Sequence, residues 1–114
     1  MDGVYTNSWY YYCVADIAKY IRKICSNGTK LEYDPKNDLK TKIEEFRTKK
    51  GIIIFTNDDE SGNVDLVENG KLIGYDKNDH NFDHCMNNEK LLKAELYIIK
   101  KFFYSLKFFF KKKS

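Results

Sequence analysis

The stretch DKNDHNFDHC gathers Asp76, Asp79, His80, Asp83, His84 and Cys85 within ten residues. His80 and His84 stand four apart, the spacing at which two imidazoles on one helical face share a metal ion, and Cys85 would add a thiolate. A structural zinc site needs a second paired cluster, and none accompanies this one. With Asn81 in an aperiodic context, the stretch reads as a solvated polar loop. A calcium loop starting at Asp79 finds Asn81 and Asp83 in place. It then meets His84 where the turn requires glycine and Lys90 where a bidentate glutamate belongs. No glycine-rich phosphate cradle or nucleotide fingerprint is present, so the chain is read without metal or other cofactor.

The thiols are the next candidates. Cys13, Cys25 and Cys85 are an odd number without CxxC spacing, which fits reduced cysteines of a cytosolic chain and leaves room for at most one disulfide. Val14, Ile17, Ala18, Ile21 and Ile24 recur at spacings of three and four, predicting a helix from about Cys13 to Ser26 that stops at Asn27/Gly28. Cys13 then sits at a helix N-terminus, where a thiol's pKa falls; the plainer alternative is a small buried hydrophobe.

Further elements must position these groups. A polar connection containing Asp34 and Pro35 leads to a second helix, capped by Asn37 or Asp38. Its apolar face is Leu39, Ile43 and Phe46, and it ends at Lys49/Lys50. GIIIF, residues 51 to 55, is an uninterrupted apolar run rich in β-branched side chains and predicts a central strand covered on both faces. SGNVDLVENGKLIGYD predicts a hairpin, because Asn69/Gly70 suits the positive φ angles of a type I′ turn. Asn63 opens its first strand, where a side chain can point into a cleft. Residues 76 to 88 read as a long irregular loop and AELYIIK as a last strand. This order implies an α+β domain of two N-terminal helices on a small, mostly antiparallel sheet.

The succession of KKGIIIF, a polar loop, Gly62-Asn63-Val64-Asp65-Leu66 and the Asn69/Gly70 turn resembles the type VI secretion amidase effectors of the fourth family. Those are cysteine hydrolases of peptidoglycan peptide with a papain-like NlpC/P60 fold, and the likeness covers roughly residues 10 to 100. In the family, a histidine takes the proton from the cysteine nucleophile, and that position falls on Asn63. A carboxamide does not titrate near neutrality, so it can orient but not accept that proton. The family's acidic orienting residue falls at or next to Asp76, and Val67 replaces the usual tryptophan. The nucleophile helix lies upstream of the helix matched here, or else Trp9 stands at the cysteine position. Either register removes the thiol and leaves Cys13 as the substitute. The resemblance thus implies Asn63, Asp76 and Cys13 as catalytic positions of a truncated or degenerate amidase with little or no activity. A rearranged pair is the other route: His80 or His84 could supply the imidazole to Cys13 or Cys85.

Composition bounds the remaining possibilities. The 114 residues are 42% hydrophobic and 32% charged, enough for one folded domain. The formal charge of +3 conceals six lysines beyond residue 99 with no acid among them, which leaves the first 99 residues at −3. A mildly acidic body argues against a nucleic-acid partner. Residues 1 to 100 are expected to form the domain and residues 101 to 114 a basic aromatic tail, whose contact with an anionic membrane would be weak. MDGVYTNSWYYY carries no secretory signal. Expected partners are peptidoglycan peptide or an immunity-type protein. The rival to the amidase is a small α+β interaction module such as an immunity or antitoxin protein.

Overall fold

In β2, Gly51–Asn57, four consecutive large apolar side chains from Ile52 to Phe55 are each no more than 4% exposed. Side chains alternate across a strand, so burying all four requires cover on both faces of the sheet. The computed structural model, described here for residues 16–59, 61–74 and 82–99, supplies that cover. Helix α1 (residues 16–24) packs Ala18 and Ile21 on one face, against Ile52, Ile54, Val64, Leu66 and Tyr97. Helices α2 (Lys42–Arg47) and α3 (Phe82–Met86) pack Ile43, Phe46, Phe82 and Met86 on the other, against Ile53, Phe55, Val67 and Leu96.

Strands β1 (Lys30–Tyr33), β3 (Gly62–Glu68), β4 (Lys71–Leu72) and β5 (Leu91–Ile98) join β2 among the described residues. They form a five-stranded sheet in the order β1-β5-β2-β3-β4, and every pairing is antiparallel. The expected α+β architecture and central strand are present. At the β3–β4 turn, Asn69 has φ 53° and Gly70 φ 71°, the pair of positive angles that a type I′ turn requires. Gly51 has a different reason: a Cβ there would lie 2.0 Å from the Tyr97 carbonyl oxygen, so the neighbouring strand leaves no room for one.

Three expectations need correction. The polar connection after α1 contains strand β1, a four-residue edge in which only Leu31 and Tyr33 turn toward the α2/α3 core. Helix α2 is shorter than its periodicity suggests, and Leu39 is 78% exposed instead of lying on the apolar face. The side chains expected to cap it are used in the preceding turn. Asp38 Oδ2 accepts the Asp34 N–H at 2.8 Å and Asn37 Nδ2 donates to Asp34 Oδ2 at 2.6 Å, and Thr41 stands at the helix start instead. Within the stretch read as an irregular loop, residues 82–86 form α3, because Phe82 and Met86 stand one turn apart and are both buried. Arg47 fastens α3 to α2, its Nη2 donating to Asp83 Oδ1 at 2.6 Å while its guanidinium lies 5.4 Å from the centre of the Phe82 ring. The basic aromatic tail lies outside the described residues, among which no helix is long and apolar enough to cross a membrane.

Phe46 is fully buried and Leu39 largely exposed, so their truncations should separate. Phe46→Ala is expected to cost about 3–5 kcal/mol of unfolding free energy. Leu39→Ala should stay within about 0.5 kcal/mol of wild type, both read from urea denaturation midpoints.

Candidate functional site

Asn63 is the second residue of β3, opposite Phe55 of β2, and is 7% exposed. Cross-strand partners share a face, so Asn63 lies on the α2/α3 side, as does Asp65 opposite Ile53. Helix α1 covers the reverse side. The sheet therefore stands between Asn63 and the helix that follows Cys13 in sequence. Cys13, Asp76 and His80 lie outside the described residues.

Around Asn63 the described polar groups are structural in their chemistry. Asp65 is 1% exposed, and its Oδ1 accepts the N–H groups of Leu66 at 2.7 Å and Gly74 at 2.8 Å. Burial first, and then the negative charge of Asp65, push the Cys85 thiol up to about 11. A thiol so placed is protonated at neutral pH and a poor nucleophile. Cys25 also titrates above its ordinary value because of burial. Among the described residues, no three His, Cys, Asp or Glu side chains converge as a metal site would require.

A different constellation lies on the α1 face. Glu95, in the middle of β5, is 1% exposed and sits between Ile54 of β2 and Glu32 of β1. A carboxylate placed there must be compensated, because an uncompensated buried charge is strongly destabilising. Arg22 reaches down from α1 and donates from Nε to both carboxylate oxygens, at 3.1 and 3.2 Å, and from Nη2 to Oε1 at 2.6 Å. The Tyr97 hydroxyl donates to Oε2 at 3.1 Å, and Lys93 Nζ stands 3.9 Å from Oε1. Lys30 Nζ lies 5.7 Å from the centre of the Tyr97 ring.

These groups line an open cleft of about 420 Å³ between the end of α1 and the β1–β5 edge, together with Cys25, Ser26 and Gly28. Glu32 bridges the outer lysines, 3.4 Å from Lys30 and 3.8 Å from Lys93. Desolvation raises the Glu95 pKa, but the hydrogen bonds and positive charge of Arg22, helped by Lys93 and Tyr97, outweigh it and hold the carboxyl below its ordinary range. Burial and the adjacent Glu95 charge push the Tyr97 hydroxyl up to about 12. Near neutral pH Glu95 is ionised and Tyr97 protonated, so this cluster holds charge in place and does not exchange protons.

Sequence reasoning passed over Arg22, Glu95 and Tyr97. The signal was a lone acid inside the strand LLKAELYI, whose one other charged residue is Lys93, and an arginine one residue from Ile21 on the helix expected to pack on the sheet. Comparison with known proteins finds no matching family model, no similar curated protein and no similar solved structure.

Removing Arg22 alone should strand the Glu95 charge. Arg22→Ala is expected to cost about 3 kcal/mol, the low end for breaking a buried pair, because Arg22 is two-fifths exposed and solvent screens its charge. The double variant Arg22→Met/Glu95→Leu should recover most of that loss in chemical denaturation. The Glu95 pKa is depressed on folding, so its contribution is complete above the ordinary glutamate value of about 4.3 and disappears as pH falls through the folded value. Wild type should therefore lose more stability than Glu95→Gln as pH is lowered from about 5 to 3.

Proposed function

We propose that the domain acts by binding a protein partner, as a small α+β interaction module of the immunity or antitoxin kind, and not by cleaving an amide bond. The observation that carries this reading is the placement of Asn63. Its carboxamide is buried on the face of the sheet opposite α1, against the core that α2 and α3 build, and it does not titrate near neutrality. The described thiols add support, since both are protonated at neutral pH. Cysteine hydrolysis needs a thiolate and a base within hydrogen-bond reach of each other.

A degenerate relative of the type VI amidase effectors is the second reading. It is favoured by the succession of α1, the apolar strand and the Asn69/Gly70 hairpin, which keeps the order and turn chemistry of that resemblance.

Incubation with purified muropeptides tests whether hydrolase activity survives, which the binding reading excludes. The binding reading expects no new amine from the D-glutamyl/diaminopimelate bond. It also expects iodoacetamide to modify Cys85 slowly at pH 7.5 and faster only as pH approaches 11, followed by peptide mass mapping. Amine release at neutral pH would restore the hydrolase reading.

A further inference from the structure

We propose that the cleft between α1 and the β1–β5 edge is a carboxylate-binding site that takes an acidic side chain of a peptide ligand, with Arg22 as its principal contact. This rests on the interaction-module reading and names the chemistry that such a module would recognise.

The argument starts from how Arg22 is held. A guanidinium has two forks that match a carboxylate: the side formed by Nε and Nη2, and the end formed by Nη1 and Nη2. Glu95 occupies the first fork, with bonds from Nε and Nη2 only. Nη1 and the second Nη2 hydrogen lie outside the Glu95 pair. The Arg22 side chain lines the cleft and remains 39% exposed. Glu95 fixes the guanidinium in place, so little side-chain entropy is left to lose when a second carboxylate arrives. An arginine pre-oriented by a buried acid is a poor arrangement for stability alone, since an apolar pair of the same volume would serve as well.

Charge selects the ligand. Arg22, Lys30 and Lys93 are balanced within the cluster by Glu95 and Glu32, which leaves one surplus positive charge at the cleft. That surplus matches a single carboxylate better than a phosphate dianion. The volume of about 420 Å³ lies in the range of sites that enclose a small ligand or one side chain with its flanking backbone. The outer lysines are tied to Glu32 only through half-exposed ion pairs, which are weak enough to rearrange around an incoming anion.

The test is a ¹H–¹⁵N titration of the full chain with a blocked tripeptide carrying one glutamate, and separately with inorganic phosphate. The tripeptide should shift the Arg22 Nε–H and the Ser26, Gly28 and Lys30 amides saturably. Arg22→Lys keeps a cation for Glu95 but lacks the fork, so it should weaken binding about tenfold, while Glu32→Gln should tighten it several-fold. Should Arg22→Lys fail to fold by circular dichroism, Lys30→Ala/Lys93→Ala replaces it with the same expected direction. Three results would overturn the proposal. They are shifts absent or confined to the C-terminal lysines, equal affinity in the variants, or tighter binding of phosphate than of the tripeptide at the same amides. Because muropeptide cleavage is scored independently, loss of this site would leave the interaction-module reading standing, and amine release would remove that reading whether or not the tripeptide binds.

Discussion

Glu95 is a full negative charge in the middle of a sheet, and the position of α1 follows from it. The apolar stripe of α1 could rest on Ile52, Ile54, Val64 and Leu66 in several nearby registers, since hydrophobic burial is non-directional. The ion pair is directional. Only a placement that brings the Arg22 fork onto the Glu95 carboxylate, with Tyr97 donating from the side, compensates the buried charge. The helix thus owes its affinity for the sheet to apolar contact and its orientation to one guanidinium.

The two faces of the sheet solve the same electrostatic problem differently. On the α2/α3 face, Asp65 accepts from the backbone N–H groups of Leu66 and Gly74, and Gly74 must lack a side chain because a Cβ would lie 2.8 Å from Oδ1. On the α1 face, Glu95 is satisfied by side chains that also reach solvent. Backbone donors are fixed and leave nothing over for a ligand. A guanidinium and two lysines at an edge retain donors after the internal charge is met. That asymmetry is why the proposed recognition chemistry belongs on the α1 face and not on the face of the sheet that carries Asn63.

What could be read from the sequence was whatever depends on local periodicity. GIIIF announced a doubly covered strand, the α1 stripe announced its helix, and Asn69/Gly70 announced a type I′ turn. Each is decided within a few residues. β1 was illegible because KLEY has only two inward apolar positions, and its pairing with β5 joins residues more than 60 apart in sequence. α3 was hidden because it is only five residues long inside a polar, aperiodic stretch, and Phe82 and Met86 mark it as helical only once their shared burial is known. Glu95 was hidden for a related reason. Strand alternation places a residue on a face but does not say which helix covers that face, and Arg22 meets Glu95 across 73 positions of sequence.

Position 63 shows the limit of arguing a site from motif order. An asparagine after glycine, at the start of a hairpin, invites comparison with a catalytic histidine, and the turn that follows has the expected chemistry. Hairpin order, however, fixes only which strand a residue occupies. Strand parity then decides the face, and parity places Asn63 with Phe55, Ile53 and Asp65, in contact with the core that α2 and α3 build. A single-residue change of register would carry the same side chain to the α1 face. The buried Asp65 opposes that slip. Moved to the α1 face, it would lose the Gly74 donor and become a second buried carboxylate on the face that already holds Glu95. The same slip would turn Val64 and Leu66 away from α1, so the register of the hairpin and the facing of position 63 are set together.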